Sequence, residues 1–289
     1  MAGLAVPRRQ VPWPQRKPRR RRRIVMTRTF GLRAAAASLG LVLGLAVAGL
    51  AHAAEGGEPL KSVRWSFAGP FGQFDKAQLQ RGFKVYKEVC SACHAMHLVA
   101  IRSLGDDGGP GFTEEQVKVI AAEYTVQDGP NDDGDMFDRP GLPRDRFPSP
   151  YPNDKAAAAS NGGAVPPDFS VLAKAREDGP NYIVSLMTGY EENPPAGSEV
   201  PEGKYYNHYF PGHAISMPPP LSDELVEYTD GTPPTVENYA KDVAAFMMWT
   251  AEPKMEHRKR MGFVVMVFLV IFATLLYLTK RKIWSDIEH

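Results

Sequence analysis

The clearest hydrophobic pattern runs through Leu79, Phe83 and Tyr86, apolar positions three and four apart among polar neighbours, which is the spacing of one helical face. Asp75 precedes the run as a helix cap, with Gln78 three residues on as in a capping box. The pattern predicts a helix that runs from this cap into Cys90, with Gly82 beside the apolar face, where it lets another helix come close. A second stripe, Val236, Tyr239, Val243, Phe246 and Thr250, is broadened by Met247 and Trp249. It predicts a helix capped by Thr235 and ended by Pro253. Weaker signals predict helices over Glu114–Tyr124 (capped by Thr113), Phe169–Arg176 and Tyr182–Thr188. Strand-like alternation is scarce, and no internal repeat is visible. Asp128–Tyr151 and Glu191–Pro220 read as long ordered loops, which inside a compact domain usually carry function.

Two stretches have a different pattern. Met261–Thr279 is 19 residues without a charge, between Arg258-Lys259-Arg260 and Lys280-Arg281-Lys282. At ~1.5 Å per residue it covers roughly the ~30 Å hydrocarbon core of a bilayer. At the other end, basic residues including the run Arg19–Arg23 lead into an apolar stretch, Ala34–Leu50. Ala51-His52-Ala53 then supplies the small-x-small pattern of a cleavage site. Residues 1–53 therefore read as a signal peptide, with Met26 an alternative start, since Arg28, Arg33, the apolar stretch and the cleavage site already form a complete signal after it. This predicts an exported domain over residues 54–256, a transmembrane anchor with basic flanks over 257–282 and a cytoplasmic tail over 283–289. Both flanks of the anchor are basic, so the positive-inside rule barely discriminates. The leader sets the orientation, with the large domain on the periplasmic side of a bacterial cell membrane and the C-terminus in the cytoplasm.

Charge sharpens this division. The chain has a formal net charge of +1, but residues 54–256 hold 17 basic and 31 acidic residues, a net of −14. A field of that sign repels nucleic acid and attracts a basic partner, at rates that fall with salt.

Cysteine occurs only in Cys90-Ser-Ala-Cys93-His94. The spacing C-x-x-C-H is the attachment signature of a c-type haem. Two cysteines three apart reach two edges of one macrocycle, and the histidine that follows is held close to the iron. A thioredoxin-like pair would sit near a βαβ pattern, a structural zinc site would need a second ligand pair, and a simple disulfide would leave His94 unexplained. With both thiols given to haem, none remains for a disulfide, although the compartment would permit one.

His94 leaves one axial position open. Met217 stands in His213-Ala-Ile-Ser-Met217-Pro218-Pro219-Pro220, where prolines stiffen the backbone after the sulfur. A thioether ligand raises the potential relative to a second imidazole. Met96 is too close to His94 to reach the opposite face, Met247 and Met248 belong to the terminal helix, and Met266 to the anchor. On chemistry alone Met136 and Met187 stay open, as does bis-histidine ligation through His208 or His213.

Several longer stretches resemble the cytochrome c1 family, the haem-bearing subunits of cytochrome bc1 complexes. They are Asp75–Met96 around the cysteine motif, Asn161-Gly-Gly-Ala-Val-Pro-Pro-Asp168 with Phe169-Ser170, Leu186-Met-Thr-Gly-Tyr-Glu-Glu192, and Tyr205–Met217. The terminal anchor with its basic flanks and Trp284 agrees, so the resemblance covers residues 60–289. It implies a mainly α, class I cytochrome c-like haem domain with long loop insertions and one C-terminal transmembrane helix. It implies one haem c, held covalently by Cys90 and Cys93, with His94 and Met217 as axial ligands. It further implies cytochrome b and a Rieske iron–sulfur protein as partners, a soluble basic c-type cytochrome as acceptor, and membership of a dimeric complex in an electron-transport chain. No bond of a substrate would be made or broken on this subunit.

The chain departs from that pattern at Ala158, where the family commonly has an arginine near a haem propionate. Arg102, Lys155, Arg176 or a hydroxyl such as that of Tyr124 would then have to compensate. Two rival functions predict different behaviour. A tethered haem enzyme, such as a peroxidase, needs an open iron site. An independent membrane-tethered shuttle or oxidase subunit needs no cytochrome b.

Overall fold

The computed structural model describes residues 58–285, so the leader predicted over residues 1–53 lies outside the described residues. The domain is built on two crossing helices, α1 (Lys76–Glu88) and a later helix, Val236–Ala251, numbered α5 below. The Asp75 carboxylate caps α1 by accepting from the Gln78 amide at 3.1 Å. Leu79, Phe83, Val85 and Tyr86 on α1 are buried, as are Tyr239, Val243, Phe246 and Trp249 on α5. Thr235 caps α5, which ends at Ala251 before Pro253. Gly82 sets the depth of the crossing: a Cβ there would overlap the Asp242 carbonyl and lie 2.7 Å from the Phe246 Cβ. Beside this contact, the Arg81 guanidinium bridges buried Asp242 (2.8 Å) and exposed Asp230 (2.6 Å), tying the loop before α5 to α1.

The helix α2 (Glu114–Ala122) opens with a full capping box between Thr113 and Gln116. It ends two residues before the predicted Tyr124, because the chain turns there into a strand. The segment Asp128–Tyr151, read from the sequence as loop, holds half of a hairpin. In it β1 (Thr125–Asp128) pairs antiparallel with β2 (Phe137–Pro140), Val126 opposite Arg139. Its side chains are mostly exposed on both faces, so no alternating pattern announced it. Ion pairs fix it instead: Arg139 grips Asp145 through two bonds of 2.6 and 3.0 Å and also pairs with Asp128. The unpredicted α3 (Asp154–Ser160) is an alanine run, favourable for helix, with the Asn153 side chain as cap.

The predicted helix over Phe169–Arg176 is reduced to a single 3-10 turn, Leu172–Lys174. Its first residues are drawn to a distant segment instead: the Phe169 amide donates to the Ala95 carbonyl at 2.8 Å and the Ser170 hydroxyl accepts from the Leu98 amide at 3.0 Å. The next helix, α4 (Gly179–Met187), begins three residues earlier than predicted, with Pro180 in its first turn, and packs on α5. The Glu191–Pro220 segment contains one short pairing, β3 (Tyr205–Tyr206) with β4 (Ala214–Ile215). The last helix, α6 (Met255–Ile283), runs without a break through the uncharged segment, the one described helix long and apolar enough to cross a membrane.

Two outcomes follow from this architecture. Gly82→Ala forces the two crossing helices apart, and a loss of ~1–3 kcal/mol, the usual cost of overpacking, is expected in denaturant melts. The Asp145 carboxyl is held down to about 2, chiefly by its hydrogen bond with Arg139. A lowered carboxyl stabilises fully above its unfolded pKa of ~3.9 and loses that contribution as pH falls through the folded value. Hydrogen exchange of the β1–β2 amides should therefore stay slow from neutral pH down to pH ~4 and accelerate below it, and Arg139→Gln should remove that protection at all pH values.

Candidate haem site

After α1 the chain does not continue as helix into Cys90 as predicted. It closes a 3-10 turn over Cys90–Ala92, in which the Cys90 carbonyl accepts from both the Cys93 amide (3.1 Å) and the His94 amide (2.9 Å). This turn brings the two thiols and the imidazole together. Both cysteines are unbonded and partly exposed, and Cys90 packs against the core. Burial, reinforced by Cys93, pushes the Cys90 thiol up to about 12. A redox or zinc-binding cysteine needs the opposite, a surrounding that favours thiolate. This one favours a neutral sulfur, as in a thioether.

His94 is 8% exposed. Its ring stacks on Phe169 with centroids 4.1 Å apart and planes 24° apart. Its Nδ1–H donates to the Pro167 carbonyl at 2.8 Å. That bond assigns the proton to Nδ1 and leaves the Nε2 lone pair free for a metal. Burial, opposed by the Pro167 hydrogen bond and by Asp168, keeps the imidazole below its ordinary pKa, hence neutral. The whole segment 94–98 is laced to 167–170. The His97 amide (2.9 Å) and Nδ1 (2.6 Å) reach the Asp168 carboxylate, and the Leu98 amide reaches the Ser170 hydroxyl (3.0 Å). On the other side of the turn, the Tyr151 hydroxyl lies 3.8 Å from the Cys93 sulfur and accepts from the Asn161 amide nitrogen at 3.1 Å.

Met217 arrives from a separate segment, the loop after β4, and is half-buried. The Tyr190 hydroxyl donates to its carbonyl at 3.1 Å. Asn207, in the β3–β4 connection before it, moors this hairpin to the end of α4, its amide nitrogen donating to the Leu186 carbonyl at 2.8 Å. No hydrogen bond among the described residues joins Met217 to the Cys90–His94 turn. The rivals for the second ligand are otherwise engaged. His213 stacks on Tyr206 (5.6 Å) and points Nδ1 at the Asn207 carbonyl (3.4 Å), and His208 lies between Glu58 (3.4 Å) and Glu191 (3.8 Å). Met136 is exposed on β2's approach, and Met187 packs against the core at the end of α4.

The donor set fits a c-type haem: two unbonded thiols, an imidazole with Nε2 free, and a thioether on a braced loop. A buried polar atom fits it too. The Tyr124 ring packs edge-on to Phe147 (centroids 5.5 Å apart), and its buried hydroxyl has no hydrogen-bond partner among the described residues. Of the other groups considered for the propionates, Lys155 and Arg102 are exposed, while Arg176 lies near the half-buried Tyr182 hydroxyl. Sequence reasoning missed Phe169, the Pro167 carbonyl, Tyr151 and Tyr190. Each acts through a contact with a residue far away in the chain, which spacing alone does not reveal.

Comparison with known proteins settles the family. The model of the Cytochrome C1 family matches residues 65–287. The chain belongs to the cytochrome c1 family. Cytochrome c1 of Rhodospirillum rubrum is 51% identical over 260 residues, covering 85% of this chain and 94% of that protein. Cytochrome c1 of Blastochloris viridis is 48% identical, covering 87% and 96%. A protein named cytochrome b/c1 from Bradyrhizobium diazoefficiens is 54% identical over 254 residues, and the matched region spans 37% of that longer chain. Cytochrome c1 proteins carry haem, so the cofactor class follows from membership.

Tyr190→Phe removes the one side-chain hydrogen bond to the Met217 backbone found among the described residues. A loss of ~1 kcal/mol is expected, seen as faster hydrogen exchange through residues 214–217 with α1 and α5 unaffected.

Proposed function

We propose that the chain is the electron-transfer subunit of a bacterial cytochrome bc1 complex, with Cys90 and Cys93 binding one haem c covalently and His94 and Met217 as its axial ligands. The observation that carries this reading is the hydrogen bond from His94 Nδ1 to the Pro167 carbonyl, directly after the Cys90–Cys93 pair. It leaves Nε2 of His94, the residue next to Cys93, as the free nitrogen that a haem iron would take in this reading. When bound, the haem supplies a one-electron couple whose potential depends on its axial ligands and on burial.

The protein's own part is to hold that environment still. Phe169 stacked on the imidazole and Pro167 behind it fix the ring orientation, so the ligand does not reorient with charge. Tyr190 and the prolines after Met217 do the same for the thioether. The Cys90 side of the turn packs against the apolar core, which lowers the local dielectric. We read electrons as entering from a Rieske iron–sulfur protein and leaving to a soluble basic c-type cytochrome, for which an exported domain of net charge −14 is a complementary target. Cytochrome b is the expected membrane neighbour. The relative named cytochrome b/c1 supports that pairing, and the complex is expected to be dimeric. In this reading residues 1–53 are a signal peptide removed before Ala54. The 54–256 domain stands in the periplasm, residues 257–282 cross the cell membrane, and 283–289 are cytoplasmic.

Met217→Leu tests the ligand set. The variant should keep its covalent haem after denaturation and acetone extraction, turn high-spin, bind carbon monoxide when reduced and lose most of its cytochrome c reduction. A tethered peroxidase would keep its activity. Solubilisation in mild detergent should co-purify a diheme cytochrome and an iron–sulfur protein, and a shuttle acting alone would come without them.

A further inference from the structure

The segment between Arg64 and Asp75 carries no charge in a domain that is otherwise strongly acidic. Its tip, Gly69-Pro-Phe-Gly72, turns sharply: a Cβ on Gly72 would overlap the Ala68 carbonyl. At this tip Phe71 is 74% exposed, the most exposed large apolar side chain among the described residues.

The turn is fastened to the first turns of α6. The Lys259 ammonium donates to the Phe67 carbonyl (2.6 Å) and the Gly72 carbonyl (3.2 Å). The Phe74 amide donates to the Glu256 carboxylate at 2.9 Å. The Phe71 ring meets the edge of Phe263 at 5.7 Å. Phe263 is two residues past Met261, the start of the uncharged span, so it lies ~3 Å inside that boundary at ~1.5 Å per residue. A ring in contact with it shares its depth.

We propose that the Gly69–Gly72 turn is a second membrane contact, with Phe71 inserted into the headgroup–acyl boundary of the leaflet from which the haem domain emerges. The occupant is phospholipid. The turn is continuous with the exposed apolar surface of the span, lacks charge where the rest of the domain is acidic, and offers an apolar ring at the headgroup–acyl boundary, where Phe, Trp and Leu of surface segments bury. A single helix lets a domain rotate and tilt about its own axis. A second point of contact, fixed to that helix by Lys259 and Glu256, gives the domain one orientation on the membrane. The inference needs only the span, while its test also rests on the proposed covalent haem, which keeps Cys90 and Cys93 from the label.

The test uses the full chain in its complex, reconstituted into phospholipid vesicles. With both native cysteines committed to haem, Phe71→Cys supplies a single site for a nitroxide label, and Val119→Cys on exposed α2 is the aqueous control. An unchanged haem spectrum reports correct folding. Oxygen, which concentrates in lipid, should collide with the label at 71 several-fold more often, relative to a water-soluble nickel chelate, than with the label at 119. Equal chelate access at both sites would overturn the proposal. So would a label at 71 that neither reagent reaches, because another protein would then cover the turn.

Discussion

The close approach of Gly82 to the Asp242 carbonyl sets out the rest of the haem domain. With the two helix axes brought this near, Phe83, Tyr86 and Phe246 interleave into one aromatic cluster (ring centroids 5.7 to 5.9 Å), which extends to Phe147 and Phe169. Asp242 is then buried beneath the crossing, where a carboxylate is costly unless paired, and Arg81 meets it with Asp230 as a second partner. The end of α1 cannot shift without disturbing this cluster. The Cys90–His94 turn that follows it is therefore delivered to a fixed place.

From there order is carried by side chains rather than by regular structure. His94 and Pro167 are 73 residues apart in sequence, and between them lie a hairpin, a short helix and long loops. What joins them is a seam of single hydrogen bonds running from His94 to Leu98 on one side and Pro167 to Ser170 on the other. The Met217 loop is held in the same way by Tyr190, and the β3–β4 hairpin that leads to it by Asn207. A redox centre benefits from such bracing, because every ligand movement that accompanies a change of charge adds to the barrier for electron transfer. The neutral, buried surroundings of Cys90 and His94 agree with that role.

The frame was legible in the sequence because it depends on local rules. Asp75, Thr113 and Thr235 cap the helices that their spacing predicts, and Leu79, Phe83, Tyr239 and Phe246 are buried as their periodicity requires. Reading Gly82 as a close-approach residue needed no more than its place on an apolar stripe. The failures fall where long-range contacts override local preference. Phe169–Arg176 has a helical pattern, but its start is drawn to the 94–98 segment through the Ala95 carbonyl and the Ser170 hydroxyl, and only Leu172–Lys174 turns. Phe137–Pro140 has no strand signature, because Arg139 and its two carboxylates hold it rather than a buried face. At the candidate site, Cys90, Cys93 and His94 were proposed from spacing and Met217 from resemblance, while the groups that brace them in the fold were not legible. The Pro167 carbonyl is a backbone atom, and no side-chain pattern can point to it.

The junction between α5 and α6 is only three residues long, Glu252–Lys254, and it is braced at each step. Glu252 pairs with Lys174 at 3.2 Å and with Arg258, and Met255 is buried in the domain. Such a joint behaves as a weld and not as a hinge. The redox centre it supports is thus a stationary relay, unable to swing out toward a distant donor or lean toward a passing acceptor. All travel must be done by whatever exchanges electrons with it, and the rate of that exchange will be set by how the visitors move and dock.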